Sequence, residues 1–328
     1  VRVDVAGQTI EFAAPVLTPV GPMTSVAAVE VTVTHGGVRA TGRVRCSSTR
    51  QADGTVAAVH ELVERSGLAR GVPDDLWPWW SAAWSRLEAV AIPGQRRALA
   101  AIDAAIWDLA GPDLARASAP DVRIYWSGFW LGCSTDAARR EAARATAAGY
   151  DAVKMRVDVA DIASSVARFS AIAAELPAAM GIAVEFAGSG SPRAVEEFVG
   201  GIDTARVLWV EDPLPVAVAA DTARVAAGLG VPVGGGEHCS GVRAFTDYLD
   251  AAGIAFPIID FGQCGGPSAL LAALGGPVAR FPAIGIHLDA TLAATTLARV
   301  AVAPRVYVEV LDWWEQTTPD ELRVRLRG

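Results

Sequence analysis

Ala152-Val153-Lys154-Met155-Arg156-Val157, then Ile182-Ala183-Val184-Glu185-Phe186, then Val207-Leu208-Trp209-Val210-Glu211 are three short apolar runs, each with a charged residue near its end. The Ala-rich segments between them, such as 162–174, are each long enough for one helix. Working outward, the same unit recurs around 124–126, 231–235, 256–260, 283–287 and 306–310, with a further helical stretch at 137–148. Strands buried on both faces read as continuous apolar runs, and eight βα units predict a closed parallel (β/α)8-type barrel. The barrel is expected over 113–328, with a short C-terminal extension in place of a long last helix.

Upstream the rhythm differs. Strand-like runs at 1–5, 8–12, 26–34 and 38–45 are separated by turn signals, Ala6-Gly7 and Gly36-Gly37, and helices are expected at 56–69 and 95–110. In the second helix Ala98, Ile102, Ala105, Ile106 and Leu109 recur at helical spacing. Strands followed by helices predict a separate α+β domain over 1–112.

Composition narrows the function. A length of 328 residues fits two domains or a barrel with an attachment. A net charge of −8 argues against a nucleic-acid backbone as partner. No uncharged apolar run is long enough for a membrane-spanning helix, and the first residues start directly in a strand pattern without a secretion signal, so a cytoplasmic enzyme is expected. Cys46, Cys133, Cys239 and Cys264 are far apart with no CxxC, which indicates neither a zinc site nor a disulfide scaffold. Of the 28 basic residues only Lys154 is a lysine, a candidate for a role that arginine cannot fill.

Charged residues stand near the ends of seven of the eight runs: Lys154 and Arg156, Glu185, Glu211, Glu237, Asp260, His287 and Glu309. In a parallel barrel the strand C-termini meet on one face, where active sites lie. A carboxylate after a strand often only caps the next helix, but three on consecutive strands, followed by Asp and His, point to one site. Glu185, Glu211 and Glu237, without a Cys or His cluster, suit a hard oxygen-preferring cation, for which Mg²⁺ fits best. Lys154 and Arg156 alternate across Met155 and so face the same side of the sheet. Asp260 would orient His287 and raise its basicity, giving a general base near neutral pH.

These residues resemble the enolase superfamily in its mandelate racemase branch. The likeness is carried by Lys154-Met155-Arg156, by Leu208-Trp209-Val210-Glu211-Asp212-Pro213-Leu214, and by Gly235-Gly236-Glu237. It continues in Asp260 followed by Gly265-Gly266, in Gly285-Ile286-His287-Leu288, in Glu309-Val310-Leu311-Asp312, and upstream in the segment 101–111. The resemblance implies that the N-terminal domain caps the barrel mouth and that Glu309 hydrogen-bonds a substrate carboxylate. The chain departs from the pattern at Arg156, where a lysine base is usual, at Glu185, where Asp is usual, and at Ala187, where Asn is common.

The expected activity is Mg²⁺-dependent abstraction of the proton α to a substrate carboxylate by His287. Arg156 keeps its proton and is a poor base, so a single base favours dehydration of a hydroxy acid or acid sugar. Racemisation or epimerisation of a 2-hydroxy acid is the alternative in the same class, and a barrel that has lost catalysis and acts as a binding protein is the alternative in another. The partner is a small carboxylate rather than nucleic acid or membrane, and a homo-oligomer is expected. Segments 15–24 and 47–54 would close over the site, Trp126, Trp130, Trp313 and Trp314 could narrow it, and Arg50, Gln51 and His238 could meet substrate hydroxyls.

Overall fold

The computed structural model describes residues 1–18, 21–111, 121–274, 280–287, 292–293, 296–297, 305–311 and 318–327. Trp313 and Trp314 lie outside the described residues, as does the expected domain boundary after residue 112.

The N-terminal part is a three-stranded antiparallel sheet, β1 (Arg2–Thr18), β2 (Gly21–His35) and β3 (Val38–Cys46). The break expected at Ala6-Gly7 is absent. Both residues stay in the ladder, Ala6 opposite Glu30 and Gly7 opposite Val29, because the long partner strand overrides a local turn signal. The ladder is interrupted instead between Glu11 and Val16. Alternate residues Ala27, Val29, Val31 and Val33 are fully buried, and helices α1 (Thr49–Ser66) and α3 (Pro93–Ala110) pack on the sheet. The sequence reading assigned no element to helix α2 (Leu76–Glu88). Its Trp80 and Trp84 are buried, so it is held by tertiary packing rather than by propensity.

Segment 47–54 is not a closing loop. Ser48 caps α1 by accepting a hydrogen bond from the Gln51 amide, and the helix is under way by Thr49. Of the other expected closing segment, residues 15–18 and 21–24 belong to the paired strands β1 and β2. Leu17 approaches Gly132 in the loop after the first barrel strand, and Val26 and Ala28 pack with Leu311 and Trp130.

Strands β4 (Asp121–Ser127), β5 (Ala152–Arg156), β6 (Gly181–Glu185), β7 (Val207–Glu211), β8 (Val233–Gly235), β9 (Phe256–Asp260), β10 (Ala283–His287) and β11 (Arg305–Val310) form a closed parallel barrel, with β11 pairing back onto β4. Period-two alternation sorts each strand. Met155, Val184, Val210, Ile259, Ile286 and Val308 join the outer core beneath the helices. Their neighbours Lys154, Glu185, Glu211, Asp260, His287 and Glu309 alternate to the other side. Tyr125, Ala152, Ala183, Trp209, Phe256 and Ile258 fill the barrel below them. Trp209 stacks on Phe256 with ring centroids 4.1 Å apart, which makes a dry aromatic floor under the charged layer. After β11 the described residues end in a nine-residue helix, Pro319–Arg327, whose Arg323 donates to the Gly149 carbonyl at 2.8 Å.

One buried knot joins the N-terminal domain to the barrel. Asp103 on α3 accepts from Trp80 Nε1 at 2.7 Å, from the Ser268 amide at 2.7 Å and from Ser268 Oγ at 2.6 Å. A Cβ on Gly266, whose φ is +108°, would stand 2.4 Å from the Asp103 carboxylate, so this position needs glycine for both conformation and space. Trp84 Nε1 donates to the Gly265 carbonyl at 2.7 Å. The loop that follows Asp260 is thereby tied to α2 and α3.

Candidate active site

The ends of β5, β6, β7 and β11 bring two cations against three carboxylates. Lys154 Nζ lies 2.7 Å from Glu211 Oε1, 2.8 Å from Glu309 Oε1 and 3.3 Å from Glu185 Oε2. Arg156 Nε lies 3.0 Å from Glu185 Oε2, and Arg156 Nη1 donates to the Gly128 carbonyl at 3.0 Å. All of these side chains are buried, which is tolerable only because each charge has an opposite partner. Burial opposes the charge on Lys154, but the surrounding glutamates outweigh it and hold the amine well above its ordinary range. Burial also opposes charge on Glu309, yet Lys154, His287 and Arg156 hold it well below the usual carboxylate range.

On the far side, Asp260 and His287 are register partners on β9 and β10. His287 Nδ1 is 2.9 Å from Asp260 Oδ2, while Asp260 Oδ1 accepts from the Gln263 amide at 2.9 Å. The aspartate thus caps the short helix after β9 with one oxygen and holds the imidazole with the other. His287 Nε2 faces Glu237 Oε2 at 3.2 Å and Glu309 Oε2 at 3.3 Å. Burial disfavours the imidazolium, but Glu237, Glu309 and Asp260 override it and push His287 up to about 10.

Glu185, Glu211 and Glu237 each offer an oxygen, and these lie within 4.8 Å of one another. Among the described residues Glu185 Oε2 and Glu237 Oε2 are buried without a hydrogen bond, although each faces a basic side chain. Burial pushes Glu211 up to about 8 and Glu237 to about 7. Closely set carboxylates with unsatisfied oxygens are the donor set of a hard divalent cation, and these three fit Mg²⁺.

Other expected residues separate. Trp130 reaches the site, its ring 3.9 Å from the Arg156 guanidinium. Trp126 faces away, because on β4 it alternates with the inward Tyr125 and Ser127, and its Nε1 donates to Glu141 at 2.7 Å. Gln51 accepts from the Ser47 amide at the start of α1, and Arg50 is exposed beside it, so neither is held in the charged layer. His238 stands next to Glu237. Sequence reasoning missed Ser127, whose Oγ donates to Glu309 Oε1 at 2.5 Å, and Trp209, whose Nε1 donates to Glu211 Oε2 at 2.8 Å. Strand alternation could have found both, since Ser127 follows Tyr125 by two residues and Trp209 precedes Glu211 by two.

The sequence pattern of the family described as enolase C-terminal domain-like (MR_MLE_C) matches residues 137–326, more than half of the chain. The chain belongs to this family. Two curated relatives are each 27% identical to this enolase-like chain. One is a 3,6-anhydro-alpha-L-galactonate cycloisomerase from Streptomyces coelicolor, matched over 64% of this chain and 61% of its own length. The other is a D-galactonate dehydratase from Ralstonia nicotianae, matched over 78% of this chain and 69% of its own length. The chain therefore spans about three fifths of the first of these relatives. Among solved structures, an L-talarate dehydratase from Polaromonas sp. JS666, complexed with Mg and L-glucarate, superposes with a TM-score of 0.79. That match has 21% identity and covers 95% of this chain and 86% of the other. At that identity the likeness establishes the enolase-like fold, and the residues above carry the chemistry.

Proposed function

We propose that this chain abstracts the proton α to a substrate carboxylate in a Mg²⁺-dependent reaction and then expels a β-hydroxyl as water, so that a hydroxy acid or acid sugar is dehydrated. Glu185, Glu211 and Glu237 would hold the ion, and when bound it supplies positive charge that offsets the charge developing on the substrate carboxylate. His287 takes the α-proton at Nε2 and returns a proton to the departing β-hydroxyl, which leaves as water, while Asp260 fixes Nδ1–H and the ring orientation. Lys154 contributes a buried ammonium at the same layer, positioned by the ionised Glu309, which Ser127 steadies in turn. The dry floor at Trp209 strengthens each of these interactions.

The observation that supports dehydration over racemisation is the state of Arg156. Burial opposes its charge, but Glu185 and Glu309 raise its pKa above an already high value, and Trp130 covers its face. A locked guanidinium cannot serve as the second base that inversion at the α-carbon needs. The galactonate dehydratase named above acts on a polyhydroxy acid, which fits the same substrate class. The protein acts on a small carboxylate in the cytoplasm rather than on nucleic acid or membrane. Among the described residues no helix is long and apolar enough to cross a membrane.

Incubation of candidate acid sugars with the Mg²⁺-loaded protein in heavy water, followed by NMR, tests this reading. Deuterium entering at the α-carbon of one configuration, with loss of water, is the expected result. Comparable exchange in both configurations would establish the racemase alternative. No exchange across a broad acid library would leave the barrel as a binding protein.

A further inference from the structure

We infer that Asp212, Glu237 and His238 form a second divalent-cation site, separate from the Glu185–Glu211–Glu237 cluster and joined to it through Glu237. Its ligand set, two carboxylates and an imidazole, selects a borderline cation of the Zn²⁺ class rather than Mg²⁺.

The geometry comes from two neighbouring loops. Asp212 directly follows Glu211, in a left-handed backbone conformation with φ of +40° that aspartate tolerates better than most residues. Its amide donates to the Gly234 carbonyl at 3.0 Å, and its own carbonyl accepts from the Gly188 amide at 2.8 Å, so the residue is fixed from both sides. A Cβ on Gly235 would stand 2.6 Å from Asp212 Oδ1, so a glycine there leaves the space the carboxylate fills. His238 Nε2 lies 3.6 Å from Asp212 Oδ2 and 3.6 Å from Glu237 Oε1. One oxygen from each carboxylate and one imidazole nitrogen lie within 4.8 Å of one another.

A plain ion pair does not account for this arrangement. Asp212 is fully buried, yet among the described residues neither of its carboxylate oxygens has a hydrogen-bond partner. A buried, unpartnered carboxylate is costly unless something cationic meets it. The His238 distances are too long for hydrogen bonds. They are close to the edge of a tetrahedron built on metal–ligand bonds of about 2.0–2.1 Å, roughly 3.4 Å. Three protein ligands leave a fourth position for water or a substrate oxygen. Glu237 is placed to bridge, since Oε1 faces His238 while Oε2 faces His287 at 3.2 Å.

The site is tested on protein saturated with excess Mg²⁺ and titrated with Zn²⁺ by calorimetry, with anomalous scattering at the zinc edge to place the ion. One zinc equivalent retained against Mg²⁺, with its density among Asp212, Glu237 and His238, is expected. Its affinity should fall at least tenfold in Asp212→Asn and in His238→Ala. The His238 side chain is 42% exposed, so its replacement carries the test alone if the buried Asn variant fails to fold. No zinc retained against excess Mg²⁺, zinc density only among Glu185, Glu211 and Glu237, or unchanged affinity in His238→Ala would overturn the assignment. None of these readings depends on which reaction the barrel catalyses.

Discussion

Lys154 Nζ sits 2.7 Å from Glu211 Oε1 with neither side chain exposed, so the single lysine of the chain neutralises a carboxylate that is also a candidate metal ligand. Arginine in its place is larger and forked, and the surrounding layer has no slack for it. Lys154→Arg is expected to remove most activity and to cost about 1–3 kcal/mol of stability from overpacking. Urea unfolding and the heavy-water exchange assay check the two halves. Full activity at wild-type stability would show that the ammonium is incidental.

Metal affinity should depend on pH in a defined direction. Glu211 and Glu237 are pushed up to about 8 and 7 by burial, so below neutrality both hold protons that the ion must displace. Mg²⁺ affinity is expected to rise from pH 6 to 8 and then level, with proton release on binding. Glu211→Gln should lower that affinity by at least about tenfold, since it removes a charged ligand from the ion. A flat isotherm series, or an unchanged Gln variant, argues against the ligand set.

Stability without metal should fall as pH rises. Folded His287 titrates at about 10, above its unfolded value, so its contribution is complete below about pH 6.5 and lost as pH passes 10. Glu211 and Glu237, also raised, act in the same direction through about 8 and 7. The folded state therefore holds more protons than the unfolded chain across this window, and Tm in chelator should decline from pH 6 to 10. Mg²⁺ binds the deprotonated carboxylates, so it should flatten the decline. A Tm in chelator that rises over the same range would contradict the charge arrangement.

His287→Asn keeps a polar side chain but removes the base. Loss of exchange by at least about a hundredfold is expected, in line with the contribution of a positioned general base. Asp260→Asn should lower exchange too, and should also remove the group that orients the ring. Exchange that survives in His287→Asn would place the base elsewhere.

Ala187 occupies the left-handed region with φ of 50°, two residues beyond Glu185. A side chain there costs roughly 1–2 kcal/mol that glycine avoids. Ala187→Gly is expected to raise stability by about 1 kcal/mol in denaturant titration. An unchanged midpoint would mean that the local strain is already relieved by neighbouring hydrogen bonds.

The barrel was legible because its strands announce themselves. The runs 207–211, 256–260 and 283–287 coincide with β7, β9 and β10, since a strand buried on both faces has no polar interruption until it reaches the mouth. Period two then placed Lys154 and Arg156 together. The N-terminal sheet was harder. Ala6-Gly7 looks like a turn locally, and only the distant partners Glu30 and Val29 keep it extended. Helix α2 was missed because its tryptophans find their partners, Asp103 and Gly265, far along the chain. The upward pull on the His287 pKa was invisible for a similar reason, since Glu237 and Glu309 reach it from other strands.

Asp103 has a consequence for how such chains can be recombined. The carboxylate belongs to one domain and its donor Ser268 to the other, with Trp107 Nε1 donating to the same serine hydroxyl at 2.9 Å. The two domains therefore share one hydrogen-bond ledger, and neither balances alone. A chimera that grafts the first hundred or so residues of a relative onto this barrel inherits half of a lock. A graft without a carboxylate at the same turn of that helix leaves the Ser268 amide without its acceptor, so the two halves are best exchanged as a pair.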